Sequence, residues 1–91
     1  MYDLNSLLTK IVTVKTNIGM EIIAQLVGVD EENFTISLRQ PKLVVITEGN
    51  VATMPFTFTG EGELIFLTRD QYIAVLETAK PSAEDYLKQV K

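Results

Sequence analysis

The side chains in this chain best equipped for chemistry are its carboxylates, lysines, arginines and hydroxyls, because it contains neither histidine nor cysteine. Without cysteine there are no disulfides, thiolate metal sites or thiol nucleophiles. Without histidine, zinc sites and general bases working near neutral pH lose their commonest residue. Glu61 and Glu63 are the closest approach to paired carboxylates, yet they alternate with Gly60 and Gly62 and have no evident acid–base partner. A solvated loop accounts for them better than an active site. The same glycines do not make a phosphate cradle, since no helix carrying a lysine opens after them. Met54, Phe56 and Phe58 share one face of an alternating run, the pattern of a ligand groove in some proteins and of a core in most. No catalytic residue, metal ligand or cofactor is expected, and the chain reads as a protein that binds or assembles, not as an enzyme.

Charge bounds what it would bind. Eight basic against twelve acidic residues give a formal net charge of -4 and a pI near 4.6, which opposes sequence-independent attraction to polyphosphate. The lysines and arginines are scattered, with no run among them. At 91 residues, 46% hydrophobic and 22% charged, the chain has the composition of a folded protein with one core, and a single domain over 1–91 follows. No basic stretch leads into an apolar segment and small-residue cleavage site, and no apolar run approaches the roughly 20 residues that span a bilayer. A soluble, cytoplasmic protein with no membrane partner is the expectation.

The elements that must position any site are legible from periodicity. Leu4, Leu7, Leu8 and Ile11 fall on one helical face with Asp3 available as N-cap, predicting an N-terminal helix over 1–10. From Ile11 the period becomes two: Val12, Val14 and Thr16 form a strand that turns at Asn17-Ile18-Gly19. The next strand, Met20 to Val29, is apolar on both faces at Ile22, Ile23 and Ala24, as expected of a strand that bends or is covered on both sides. After the polar turn Asp30-Glu31-Glu32-Asn33, the residues Phe34, Ile36 and Leu38 alternate as an inward set. Pro41 lacks a backbone donor and marks a bend in an edge strand or a break between strands. Leu43 to Thr47, the turn Glu48-Gly49-Asn50 and Val51 to Thr59 then form a further hairpin. Apolar runs at Leu64–Leu67 and Tyr72–Leu76 flank the turn Thr68-Arg69-Asp70-Gln71. A helix over 81–91 begins at Ser82 as N-cap, with Ala83, Tyr86, Leu87 and Val90 on one face. Short antiparallel strands in this arrangement close into a small barrel or sandwich.

The stretch from Val12 to Asp30 resembles the first motif of the Sm and Sm-like protein family. Val12 and Val14 stand at its two apolar positions before the turn, Gly19 at the turn glycine, Ile22 at the usual aromatic, Leu26 at the leucine and Gly28-Val29-Asp30 at the Gly-Phe-Asp end of the strand. Ala24 replaces the glycine that permits the family's sharp bend. Arg69 in Thr68-Arg69-Asp70-Gln71 matches the arginine of the second motif, Ile-Arg-Gly, with Asp70 in place of the glycine. The resemblance implies a divergent member, of bacterial or phage type. Its fold would be all-β, a small, strongly bent, five-stranded Sm-like (SH3-like) barrel over 11–77, with an extra hairpin around 41–62 and the two terminal helices.

The resemblance also implies an assembly. Sm-like subunits form closed rings, here of about five to seven copies through pairing of exposed strands, and some bind RNA at the pore. The loops lining that pore would supply Asp30, Asn33 and Thr35 from the first motif and Arg69 and Asp70 from the second. An arginine can stack on a base, and an amide or hydroxyl can read its edge. Keeping Phe34 inward puts Thr35 where the family has a base-reading Asn and Asn33 where it often has a base-stacking residue. No aromatic side chain then stands at either loop. At -4 per subunit the ring would carry about -20 to -28 charges, and Glu31 and Glu32 would repel phosphate. The same loops also read as ordinary solvated turns. The alternative to the ring is another SH3-like barrel, a structural or adaptor module meeting a protein partner through 41–62, with no nucleic-acid role.

Overall fold

The computed structural model describes residues 4–57, 59–60 and 64–90. Asp3, Phe58, Glu61 and Glu63, on which some of the expectations above rest, lie outside them. Six strands follow in order: β1 (Ile11–Thr16), β2 (Glu21–Asp30), β3 (Thr35–Thr47), β4 (Asn50–Pro55), β5 (Leu64–Leu67) and β6 (Tyr72–Glu77), then helix α1 (Lys80–Gln89). They form one antiparallel sheet in the order β4-β3-β2-β1-β6, with β5 also on β3. β3 is long enough to serve two partners on one edge. Its first half, Ile36 to Arg39, pairs with β5, and its second, Lys42 to Thr47, with β4. The fourth strand of a five-stranded barrel is thus present in two pieces.

The inward residues are those that the two-residue period selects. Val12 and Val14 of β1, Ile22, Ala24 and Leu26 of β2, Ile36 and Leu38 of β3 and Val75 of β6 form the core, closed from one end by Leu7. Ile23 points to the opposite face yet is only 3% exposed. The reason is α1, whose Ser82 and Tyr86, with the N-cap Ala79, line a hollow together with Ile23 on the outer face of the sheet. The doubly apolar middle of β2 is therefore a strand covered on both sides. It is bent as well: between Ile23↔Lys42 and Gln25↔Arg39 the register slips, so Gln40 and Pro41 together oppose Ala24. This bulge supplies the bend that Ala24, lacking glycine's freedom, would not supply alone.

Three boundaries differ from expectation. The N-terminal segment makes a single 3-10 turn, Leu4–Leu7, instead of a helix over 1–10. Thr9 takes a left-handed φ of 72°, and the amides of Thr9 and Leu26 bond across to Leu26 and Lys10, drawing the chain onto β2 before a second turn can form. β3 runs through Pro41 unbroken, because at a bulge the missing donor costs no ladder bond. α1 begins at Lys80 with Ala79 as N-cap and Pro81 in the first turn, where a proline needs no hydrogen-bond partner. Ser82 sits inside the helix. Of the face expected to pack, Tyr86 is buried, whereas Leu87 is 46% exposed.

Candidate functional site

Two loops meet at one end of the barrel, the β2–β3 turn and the short 3-10 turn Arg69–Gln71 between β5 and β6. The first is organised by Asp30. One of its carboxylate oxygens accepts the backbone amides of Glu32 (3.1 Å) and Asn33 (3.3 Å), and the other accepts the Asn33 side-chain amide at 2.9 Å. These bonds, the Asn33 side chain foremost, hold the Asp30 carboxyl below its ordinary pKa. The Thr35 hydroxyl faces the Asn33 carbonyl at 3.4 Å, and Asn5 bonds the Glu31 carboxylate from the N-terminal turn. Asp30, Asn33 and Thr35 thus direct their polar atoms at their own turn.

The inward set Phe34, Ile36, Leu38 is corrected at its first member. Phe34 is 49% exposed with a left-handed φ of 53°, while Ile36 and Leu38 are fully buried. The turn occupies four residues, Glu31 to Phe34, and the chain rejoins the ladder only at Thr35, opposite Asp30. An aromatic therefore does stand at the loop. The Arg69 guanidinium lies over the Phe34 ring, 4.7 Å from its centroid, and the Tyr72 hydroxyl donates to the Phe34 carbonyl at 2.7 Å. Burial raises the Tyr72 pKa against the opposing pull of Arg69, so the phenol stays a donor. Of the five residues expected at the pore, Asp30, Asn33 and Thr35 share one turn and Arg69 reaches it through Phe34. Asp70 is exposed on the other turn and adds no bond to the cluster. Phe34 and Tyr72 are the members the sequence reading missed. Phe34 directly follows the polar turn Asp30-Glu31-Glu32-Asn33, and its alternation with Ile36 and Leu38 is all that argues for an inward position.

A second feature is the pair of sheet edges beside these loops. Among the described residues β6 ends the sheet path and β5 pairs with β3 alone. Both carry apolar residues on their solvent side: Leu64 (49% exposed) and Phe66 (62%) on β5, Ile73 (71%) and Leu76 (54%) on β6. A hollow of about 520 Å³ runs along β6, lined by Leu4, Phe34, Arg69, Tyr72 and residues of the strand. Phe56 packs against the core, the structural role expected of its stripe. Among the described residues no group of three potential metal ligands comes together, and no helix is long and apolar enough to cross a membrane.

Bent sheet, bulged third strand and short turn before the last strand define an Sm-like fold. The structure is similar to a heptameric archaeal Sm protein, with a TM-score of 0.59 and 18% identity over 84% of this chain and 96% of that one. It is also similar to a chain of the NatC complex bound to CoA, with a TM-score of 0.58 and 14% identity over 93% and 95%. No family model matches the sequence, and no curated protein matches it.

Proposed function

We propose that this chain is the subunit of a closed Sm-like ring of about five to seven copies, in which β5 of one copy pairs with β6 of the next. The carrying observation is the match between the two free edges. Each offers backbone groups with no strand partner among the described residues, and each presents large apolar side chains to solvent, Leu64 and Phe66 on one and Ile73 and Leu76 on the other. Such edges invite pairing with another chain, and a closed ring leaves none of them open. The similarity to a heptameric Sm protein supports the same reading through the shared fold. Sedimentation velocity tests it: the wild type runs as a closed oligomer of five or more copies, and Phe66→Asp, at an exposed site that does not hold the barrel together, loses the ring and runs no larger than a dimer. A wild-type monomer at micromolar concentration would remove the ring.

RNA contact at the pore is the second activity, and the Arg69–Phe34 stack favours it. A guanidinium resting on an aromatic ring is held flat, with its outer face offered to a base. Asp30, Asn33 and Thr35 shape the loop, and Asp70 lies beside it. Oligo-U or oligo-A should be retained at low salt by the wild type and lost by Arg69→Ala. No retention by the wild type would remove the RNA role and leave the ring standing.

A further inference from the structure

We infer that β4 is a second self-association edge, on which β4 of one copy pairs antiparallel with β4 of another about a twofold axis. β2 supports β3 only as far as Glu21↔Val44, and three further rungs, Val45↔Ala52, Ile46↔Val51 and Thr47↔Asn50, continue as a two-stranded ribbon. A ribbon of two strands is marginal in water. This one also shows solvent a directly opposed apolar pair, Ile46 at 72% and Val51 at 66% exposed.

The ribbon's turn fixes which backbone groups are free. Glu48 and Gly49 both have positive φ, 51° and 80°, so they form a two-residue turn of the primed type, flanked by the hydrogen-bonded pair Thr47↔Asn50. Bonded and non-bonded pairs then alternate along the ladder. Asn50, Ala52 and Met54 turn their amides and carbonyls to β3, while Val51, Thr53 and Pro55 turn theirs outward. Pro55 thus stands where a missing donor breaks no ladder bond. The amides of Val51 and Thr53 have no strand partner among the described residues.

Exposed edges of soluble proteins are commonly guarded by a charge, often lysine. The strand Asn-Val-Ala-Thr-Met-Pro carries no charge, and Pro55, which lacks an amide donor, guards only its last position, beyond Val51 and Thr53. A second copy fits this edge on three counts. Antiparallel pairing sets uncharged strand against uncharged strand. It sends the acidic tips at Glu48 to opposite ends of the joint sheet, and it brings the two Ile46–Val51 pairs onto one face of a four-stranded ribbon. The contact is separate from β5 and β6, so in a ring every subunit would still present its ribbon, and many weak pairings would act together.

Native mass spectrometry of the full chain tests this with two variants. Val51→Lys places a guarding charge at a site already exposed. Thr53→Pro removes an outward amide, together with the hydroxyl's bond to Gln89 of α1, without touching the bonds to β3. The wild type should have an even copy number, twice that of either variant, with unchanged circular dichroism in both. Equal copy number in the wild type and both variants, or an odd number in the wild type, would overturn the inference while leaving a ring intact. A wild-type dimer reduced to monomer by Val51→Lys would uphold it and overturn the ring instead.

Discussion

The half of the chain from Val12 to Leu38 and the half from Arg39 to Ala74 have similar apolar vocabularies and use them in opposite ways. In the first half, Val12, Val14, Ile22, Ile23, Ala24, Leu26, Ile36 and Leu38 are all buried, and only Ile18, Val27 and Phe34 stand exposed among its large hydrophobics. In the second, no described residue is buried, and Ile46, Val51, Leu64, Phe66 and Ile73 are among the most exposed large hydrophobics of the molecule. Residues scattered singly in this way would need no explanation. Here they sit on strands with free edges, the arrangement expected when apolar surface is reserved for another chain.

The largest effects should separate the two halves. Leu26→Ala or Leu38→Ala removes a fully buried side chain from the core and should cost about 2–5 kcal/mol in urea unfolding. Ile46→Ser should stay within about 0.5 kcal/mol in a variant held monomeric by Phe66→Asp and Val51→Lys together. A comparable loss at both sites would erase the distinction between core and assembly surface.

Tyr86 ties the halves together and should rank next. Its hydroxyl lies 2.6 Å from the Gln40 carbonyl and 3.2 Å from that of Arg39, at the bulge where β3 passes from one half into the other. The Gln40 side chain in turn donates to the Val90 carbonyl at the end of α1. Tyr86→Phe leaves both part-buried carbonyls without that donor and should cost about 1–2 kcal/mol, with faster amide exchange in β4. The buried phenol also sets an alkaline limit. Burial pushes the Tyr86 phenol from 10.0 up to about 12, so its contribution is complete below 10.0 and declines as pH rises through about 12. Alkaline unfolding should follow phenolate absorbance in the wild type and lose that link in Tyr86→Phe.

Smaller changes sharpen the picture inside each half. Glu48 holds a left-handed φ of 51° before Gly49, a position that favours asparagine, so Glu48→Asn should raise stability by about 0.5–1 kcal/mol in thermal melts. In the first half, Asp30 caps its turn as a carboxylate with a depressed pKa. Its contribution is present above the ordinary 3.8 and lost as pH falls through the lower folded value. Amide resonances of Glu32 and Asn33 should report that loss at acid pH, and Asp30→Asn should abolish the titration.

What the sequence discloses follows the same division. β1, β2 and the start of β3 are readable because strict alternation and a buried face permit one register only, and Gly19 marks its turn by a conformation, φ 91°, that few other residues adopt. Beyond Leu38 the signals are conditional on three dimensions. Whether Pro41 breaks or bends a strand depends on what faces it, and the answer, a bulge opposite Ala24, lies in another strand. The loop site was half legible. Arg69 is marked by its motif, whereas the alternation points Phe34 inward because a pleat cannot reveal that a turn runs one residue further into left-handed backbone. That an alternating apolar run such as β5 belongs to an interface is invisible to periodicity, which records two faces without naming the occupant of either.

The most direct test of the assembly uses the absence of native cysteine. Phe66→Cys and Leu76→Cys are prepared as separate proteins, dissociated, mixed and oxidised. If β5 of one copy lies beside β6 of the next, the mixture yields a disulfide-linked pair of chains that neither protein yields alone. A mixture that stays uncrosslinked, or in which each variant crosslinks as readily by itself, would contradict the pairing of these two edges.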